Sequence, residues 1–237
     1  MLTDFMIEKN VLKQYEGSDA VVKVPEGITE IGKGAFEKNK NLTEVILPAG
    51  VVRVGSCAFR GCTKLKTVRF PAGLEEIGYE AFWGCGALKE LALPDTLRTL
   101  GGGTFAGCVK LAILTCDSKV FEPGANPFSS YDSAHCAALA DADGFLIFCG
   151  VLYAWFGNAA DIVVPEGVRE IADRVFESGS SGSYSNTVDL KSVILPDSVK
   201  RIGSRAFADN KKLKSIRLPQ DVILDDDVFF RLLRACG

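Results

Sequence analysis

A phenylalanine that returns every 23 residues constrains the fold of this chain more than any other feature. It stands at Phe36, Phe59, Phe82 and Phe105. Each copy follows a proline at a constant spacing, and the prolines recur at Pro25, Pro48, Pro71 and Pro94, then at Pro165, Pro196 and Pro219. Internal repetition with a period of about 20 to 50 residues is typical of stacked supersecondary units. The sequence therefore predicts a solenoid, in which each repeat forms one rung.

Each repeat carries apolar residues at six fixed positions after its proline. In the repeat that begins at Pro71 they are Leu74, Ile77, Phe82, Leu88, Leu91 and Leu93. The segment before each proline is predicted to be a short strand, since proline lacks the N–H that a ladder needs. A second extended segment ends at a recurring glycine such as Gly78, and the Ala81-Phe82 pair is predicted to form a short helical turn. One rung cannot bury six apolar side chains alone, so the rungs must stack.

The run Ile77-Gly78-Tyr79-Glu80-Ala81-Phe82-Trp83-Gly84-Cys85, followed by Leu88, Leu91, Leu93 and Pro94, resembles the signature of the BspA-like bacterial leucine-rich repeats. The resemblance extends over most of residues 20–230. It implies a β-rich α/β fold, namely a curved, right-handed leucine-rich-repeat solenoid with a parallel sheet on one face. Members of this family are mostly bacterial interaction proteins, and many lie on the cell surface.

A second level of repetition relates positions at a constant offset, so that Phe5, Pro25 and Phe36 match Phe145, Pro165 and Phe176. We therefore expect one solenoid over 1–237 with a first block at 1–116, a degraded rung at 117–142 and a second block at 143–237. Each block opens with a hairpin-like module, and the first module is predicted to be an N-terminal cap. In the last repeat, Phe230 keeps the phenylalanine position and Asp225 replaces an inward residue. The segment from Asp225 to Leu233 is predicted to be a helical C-terminal cap.

Charge and hydropathy exclude several classes of partner. The net charge is -3, which provides no basic field for nucleic acid. No apolar stretch is long enough to span a bilayer, so no membrane insertion is expected. The first residues lack the pattern of a secretory signal. The chain is expected to be cytoplasmic if Met1 is the native start, and secreted or on the cell surface if an export signal was removed.

Residues that could carry chemistry are few, and the repeat accounts for most of them. The single histidine, His135, has no second imidazole for metal binding or acid–base work. The near phosphate-loop pattern at Gly27–Gly34 follows the repeat spacing and lacks the closing Ser or Thr. We therefore predict a protein that is not an enzyme and has no cofactor and no metal.

Cysteine and asparagine share one position of the repeat. Cys62, Cys85 and Cys108 occupy the place where other repeats carry Asn39 and Asn210. A small side chain that satisfies a tight turn inside the coil explains this exchange. Free, buried thiols are the expected state of the cysteines.

Outward strand positions are left free by the repeat, and they carry two basic clusters. The first consists of Lys66, Arg69 and Lys89, and the second of Lys191, Lys214 and Arg217. These residues either solvate an exposed sheet or contact an acidic or polar partner.

Trp83 stands where other repeats have polar or small residues, so an exposed position is expected, with Tyr79 nearby in sequence. Exposed tryptophan is a candidate contact residue, although the ring could instead lie on the neighbouring rung. The predicted function is a scaffold that binds another protein. The alternative is a bacterial surface adhesin or a module that binds surface glycan.

Overall fold

The computed structural model describes residues 4–116, 118, 121–122, 125–129, 136–179 and 188–231. Contacts divide the chain into two compact units, Met1–His135 and Cys136–Gly237. The strands of the first unit are β1 (Phe5–Glu8), β2 (Val11–Tyr15), β3 (Val21–Lys23), β4 (Glu30–Ile31), β5 (Glu44–Ile46), β6 (Arg53–Val54), β7 (Thr67–Arg69), β8 (Glu76–Ile77), β9 (Glu90–Leu93), β10 (Thr99–Leu100) and β11 (Ile113–Cys116). The strands of the second unit are β12 (Phe145–Phe148), β13 (Val151–Trp155), β14 (Asp161–Val163), β15 (Glu170–Ile171), β16 (Ser192–Ile194), β17 (Arg201–Ile202), β18 (Ser215–Arg217) and β19 (Ile223–Leu224).

Each rung of the first unit contributes two strands, which join different parallel sheets. The short strands after each proline extend the antiparallel hairpin β1-β2 into the sheet β1-β2-β4-β6-β8-β10, in which the other pairs are parallel. The strands before each proline form two sheets, β3-β5-β7 and β9-β11. Parallel sheet is therefore present on two segments of each coil, not on one face as the family resemblance implied.

The second unit repeats this arrangement. Its hairpin β12-β13 opens the sheet β12-β13-β15-β17-β19, and β14-β16-β18 forms a separate parallel sheet. Both hairpins have the register irregularity at the same place, after Met6 in β1 and after Leu146 in β12. The long-range repetition that matches Phe5 with Phe145 predicted this equivalence.

The recurring phenylalanines form a buried column in the first unit, as the period predicts. Phe36 and Phe59 have ring centroids 5.1 Å apart and an interplanar angle of 8°. The distance from Phe59 to Phe82 is 5.2 Å, and that from Phe82 to Phe105 is 6.4 Å. The second unit has its own column, formed by Trp155, Phe176, Phe207 and Phe229. Stacked rings of this kind remove a large apolar area from water in every rung.

The predicted short helical turns are wrong, because residues with positive φ interrupt them. In the second rung Cys57 has φ of 58° and Gly61 has φ of 71°, and Glu80 and Gly84 occupy the same two positions in the next rung. A left-handed residue cannot continue a right-handed helix. The segment instead makes successive turns, and its N–H groups bond to the next rung, as Phe59 N does to Ala81 O at 2.8 Å.

The last described rung is one residue shorter than the sequence pattern suggested. Leu224 pairs with Ile202, and Phe229 stacks on Phe207 at 5.9 Å. Phe229, not Phe230, therefore holds the phenylalanine position. Asp225 does not replace an inward residue, because its N–H donates to Ile202 O as the N–H of a turn residue does.

The predicted helical C-terminal cap is also wrong for the residues that the structure describes. Asp227 has φ of 58° and Arg231 has φ of 63°, so the last rung turns in the same way as the earlier ones. Leu232 and Leu233 lie outside the described residues.

Candidate partner-binding surface

The first basic cluster lies at the start of two strands that belong to different sheets. Lys66 immediately precedes β7 and Lys89 immediately precedes β9, and both side chains are exposed. Arg69, at the end of β7, has its Nε 2.8 Å from Glu44 Oε1 in the preceding rung. Within the described residues, no carboxylate forms an ion pair with Lys66 or Lys89. The two lysines carry the free positive charge of this cluster.

The second basic cluster also combines two exposed lysines with an arginine that lies near a carboxylate. Lys214 N donates to Lys191 O at 2.9 Å, which places the two lysines in neighbouring rungs of the sheet β14-β16-β18. Arg217 Nη2 lies 3.3 Å from Asp197 Oδ1, with both side chains largely exposed. Over the described ranges, neither Lys191 nor Lys214 has a carboxylate partner. Like charges on adjacent strands repel, so these lysines do not stabilise the fold.

Arginines at other outward positions are neutralised by acids in adjacent rungs. Arg53 Nε lies 2.6 Å from Glu76 Oε2, and Arg53 Nη1 lies 3.7 Å from Glu30 Oε2. The three residues are in register on β4, β6 and β8. We call this alternation an ion-pair ladder. Its sequence signal was available, since acid, arginine and acid recur here at the repeat spacing.

The second unit contains a similar ladder, formed by Glu170 on β15, Arg201 on β17 and Asp225, the residue after β19. Arg201 Nη1 lies 2.9 Å from Glu170 Oε1, and Arg201 Nη2 lies 2.6 Å from Asp225 Oδ2. Burial raises the pKa of the Glu170 carboxyl group, and the Arg201 guanidinium opposes that shift. Arg201 in turn has its pKa raised, chiefly by its hydrogen bond to Asp225. Both ladders tie neighbouring rungs together and leave little net charge.

Trp83 and Tyr79 lie on the turn segment that follows Gly78, away from the strands that carry the lysines. The Trp83 ring is 38% exposed, and the guanidinium carbon of Arg60 lies 4.8 Å from its centroid. Arg60 belongs to the preceding rung and also has its Nε 3.3 Å from Glu80 Oε2. Tyr79 is 56% exposed, and a hydrogen bond to the Glu80 carboxylate raises the pKa of its hydroxyl group. Within the first unit, the two aromatic residues and the first basic cluster therefore lie on different segments of the coil.

Glu177 occupies the position of Trp83 in its own rung, but its side chain is buried. It is 3% exposed, and its Oε1 accepts a hydrogen bond from Arg205 Nε at 2.8 Å. Arg205 Nη2 also lies 3.2 Å from Asp209 Oδ2. Sequence reasoning missed this network, because nothing in the repeat indicates that this position is covered here.

The repeated cysteines are structural residues. The Sγ atoms of Cys85 and Cys108 donate to Phe59 O and Phe82 O at 3.2 and 3.1 Å. Burial raises the pKa of Cys108 to about 12, so its thiolate is scarce at neutral pH. The prediction of free, buried thiols is confirmed for these positions. It is wrong for Cys116 and Cys149, which are disulfide-bonded.

Among the described residues, neither a metal-binding cluster nor a membrane-spanning helix is present. No group of three or more histidine, cysteine, aspartate or glutamate residues could hold a metal ion in that part of the chain. In the same part, no helix combines the length and the hydropathy needed to cross a membrane.

The repeat geometry agrees with a family-level comparison. The profile of the BspA type leucine-rich repeat region matches residues 15–137 and 180–232, in six copies. The chain belongs to the BspA-type leucine-rich repeat family. No match was found among curated proteins.

Solved structures similar to this BspA-type chain are also bacterial leucine-rich repeat proteins. The T. pallidum leucine-rich repeat protein TpLRR is 25% identical over 90% of this chain and 77% of that one, with a TM-score of 0.46. A leucine-rich cell surface protein from Faecalibacterium prausnitzii A2-165 is 22% identical over 96% and 84%, with a TM-score of 0.41. A Bacteroides ovatus ATCC 8483 leucine-rich repeat protein is 19% identical over 93% and 90%, with a TM-score of 0.39.

Proposed function

We propose that this BspA-type protein is a non-catalytic scaffold that binds another protein through its exposed lysines. The observation that carries the proposal is the contrast between the two kinds of basic residue. Arg53, Arg69 and Arg201 pair with acids of neighbouring rungs, whereas among the described residues Lys66 and Lys191 have no such partner. Charge that does not stabilise the fold is available for a partner.

Complementary charge implies a partner with an acidic surface. Lysines at a binding surface mainly raise the association rate and give it a steep dependence on salt. The lysines are held in place by backbone hydrogen bonds between rungs, such as Lys66 N to Thr43 O at 2.8 Å, so binding orders little new backbone. A preorganised surface of this kind suits recognition of a folded protein.

Local chemistry supports a role without catalysis. The carboxylates of Glu76 and Glu170 are engaged by arginines of the ladders. Burial raises the pKa of Cys62 to about 12, which opposes its use as a nucleophile. These residue types are the ones that a hydrolase or transferase would use.

A second candidate is an adhesin or glycan-binding module on the cell surface. It is favoured by the exposure of Tyr79 and Trp83 within one rung, because aromatic rings stack on sugars. The Arg60 guanidinium already lies over the Trp83 ring, which reduces the surface available to a sugar. The protein scaffold is therefore the first proposal.

Charge reversal tests the scaffold proposal. The variants are Lys66→Glu with Lys89→Glu in the first unit, and Lys191→Glu with Lys214→Glu in the second. The matched control is Lys33→Glu with Lys38→Glu, which changes the net charge equally on the exposed turn segment of the first rung. Pull-downs from the source cell should yield a protein that the wild type and the control retain and that at least one reversed variant loses.

Raising the salt concentration should weaken that capture as well. Equal capture by all variants would refute a role for the lysines. Loss of binding to a glycan array by Trp83→Ala and Tyr79→Ala, with the lysine variants unaffected, would favour the glycan alternative.

A further inference from the structure

Strand β14 has an open edge in the second unit. It is the outer strand of the sheet β14-β16-β18. Two hydrogen bonds flank the strand on the β16 side. Lys191 N donates to Ala160 O at 2.6 Å, and Val164 N donates to Ile194 O at 2.9 Å. Because alternate peptide groups of a parallel strand point to opposite sides, the N–H and C=O groups of Asp161 and Val163 face away from β16. No described residue bonds to them there.

A groove of about 720 Å³ runs beside this open edge. Its lining includes Asp141, Asp143, Phe156, Asn158, Asp161 and Val163, which all belong to the second unit. Its volume lies within the range of pockets that hold ligands, about 300 to 1,000 Å³. Backbone groups that lack a strand partner are therefore next to space that a strand could fill.

The walls of the groove are held by contacts of their own. Trp155 Nε1 donates to Asp143 O at 3.1 Å, and Phe156 N donates to Gly144 O at 2.8 Å. A Cβ atom at Gly144 would lie 2.6 Å from Gly157 N, so the two chain segments approach as closely as glycine allows. The groove is preorganised rather than formed on binding.

The lining of the groove is acidic and partly apolar. It contains Asp141, Asp143 and Asp161 together with Asn158, and it contains no lysine or arginine. Asp161 and Val163 lie on the same side of the strand, since side chains two residues apart share a face. Val163 is 64% exposed, and the exposed Ile194 is in register with it. An occupant that suits this lining combines basic and apolar side chains.

We propose that this groove binds an extended basic peptide segment, which adds to β14 as a further strand. The main chain of the peptide bonds to Asp161 and Val163, and lysine or arginine side chains pair with the aspartates. This site is separate from the lysines of the proposed function and has the opposite charge. A failed test of the lysine surface would therefore not decide whether the groove binds a peptide, and the reverse also holds.

The first unit provides an internal comparison. By the matching of Phe5 with Phe145, β3 is the equivalent strand. Its bonds on the β5 side have the same pattern, with Thr43 N to Ala20 O at 2.7 Å and Val24 N to Ile46 O at 3.0 Å, so its outer edge is the equivalent one. Val21 and Lys23 replace Asp161 and Val163. The equivalent edge of the first unit therefore lacks the aspartate of β14 and carries a lysine two residues later, and it should not take a basic peptide.

The test uses the full chain and fluorescent capped peptides, with binding followed by fluorescence anisotropy. The peptide Lys-Val-Lys-Val-Lys should bind, and Glu-Val-Glu-Val-Glu should not. A version of the basic peptide with N-methyl groups on alternate amides should lose its binding, because it cannot pair as a strand. Asp143→Asn with Asp161→Asn should weaken binding of the basic peptide by about tenfold or more.

A proline variant separates strand addition from plain charge attraction. Val163→Pro removes an outward N–H, which an edge strand tolerates, and should abolish binding. Lys23→Pro, the matched change on β3, should leave binding unchanged, and circular dichroism checks that both variants are folded. Binding of the basic peptide that survives N-methylation or Val163→Pro would overturn the proposal in favour of simple electrostatic attraction. Failure of the wild type to bind would overturn it outright.

Discussion

The Sγ atom of Cys62 donates a hydrogen bond to the main-chain oxygen of Phe36, 3.0 Å away in the preceding rung. Asn210 makes the same contact in the second unit, with its Nδ2 2.6 Å from Phe176 O. Cysteine and asparagine share this position because each brings a small donor to a buried carbonyl group. At Phe36 the thiol is a second donor, because Asn39 N also donates to the same oxygen at 3.1 Å.

The buried thiols predict a loss of stability in alkali. The pKa values of Cys62 and Cys108 are raised to about 12, above the value of about 9 for an exposed thiol. The folded state therefore binds protons more tightly than the unfolded state. The stability that these thiols contribute is complete below pH of about 9 and is lost as the pH rises towards about 12.

The measurement is urea unfolding at several pH values. Cys62→Ser with Cys108→Ser keeps a donor to each carbonyl but does not titrate in this range. The double variant should show a shallower fall of the unfolding free energy above pH of about 9 than the wild type. Equal slopes would mean that the thiols do not carry the effect.

Truncation within the phenylalanine column should be severe. Phe59 is buried between Phe36 at 5.1 Å and Phe82 at 5.2 Å. Phe59→Ala should lower the free energy of unfolding by about 3 to 5 kcal/mol through lost burial and the cavity it leaves. Trp83→Ala, a larger deletion at an exposed site of the next rung, should cost less than about 1 kcal/mol. Similar losses for both variants in chemical denaturation would contradict the stacked column.

Two arginines in different surroundings should differ in their effect on stability. Arg205→Ala leaves the buried Glu177 carboxylate without its closest partner and should cost about 2 to 4 kcal/mol. Arg53→Ala breaks a ladder at the surface and should cost about 0 to 1 kcal/mol, with an effect that salt screens. Thermal unfolding of the two variants at low and high salt compares them. An equal cost would show that burial of Glu177 is unimportant.

Backbone conformation predicts one stabilising substitution. Cys57 has φ of 58°, and glycine occupies the same position in other rungs at Gly34 and Gly103. Cys57→Gly should stabilise the protein by about 0.5 to 1 kcal/mol, because a Cβ atom disfavours this conformation. Cys57→Ala removes the same thiol but keeps the Cβ atom, so it should give no gain. The comparison requires only melting temperatures, and a larger gain for alanine would contradict the assignment.

The period of the sequence was sufficient to predict the interior. A side chain that packs against equivalent residues of adjacent rungs recurs at a fixed spacing, as the phenylalanines from Phe36 to Phe105 do. Turn conformation is harder to predict from the sequence, because Cys57, Glu80, Arg174 and Arg205 all adopt positive φ without being glycine. That is why a helical turn was predicted where the chain makes successive tight turns.

The end of the chain was misplaced for a related reason. Phe229 and Phe230 are adjacent, so counting from Pro219 selected the wrong ring. The stacking of Phe229 on Phe207 and the pairing of Leu224 with Ile202 show that the rung is one residue shorter. The pairing of Arg69 with Glu44 was likewise out of reach, since the two residues do not occupy equivalent positions of the repeat.

The ion-pair ladder of Glu30, Arg53 and Glu76 constrains which rungs can be neighbours, and the common core does not. The rungs share the same kind of interior residues, so the core does not depend on their order. The surface position of the ladder alternates between an acid and arginine. Removing the rung that carries Arg53 would bring Glu30 and Glu76 side by side. Removing the rungs of Arg53 and Glu76 together would instead leave Glu30 beside the uncharged Thr99, which now pairs with Glu76. Loss of the Arg53 rung alone is thus disfavoured by charge, whereas loss of these two neighbouring rungs together is not.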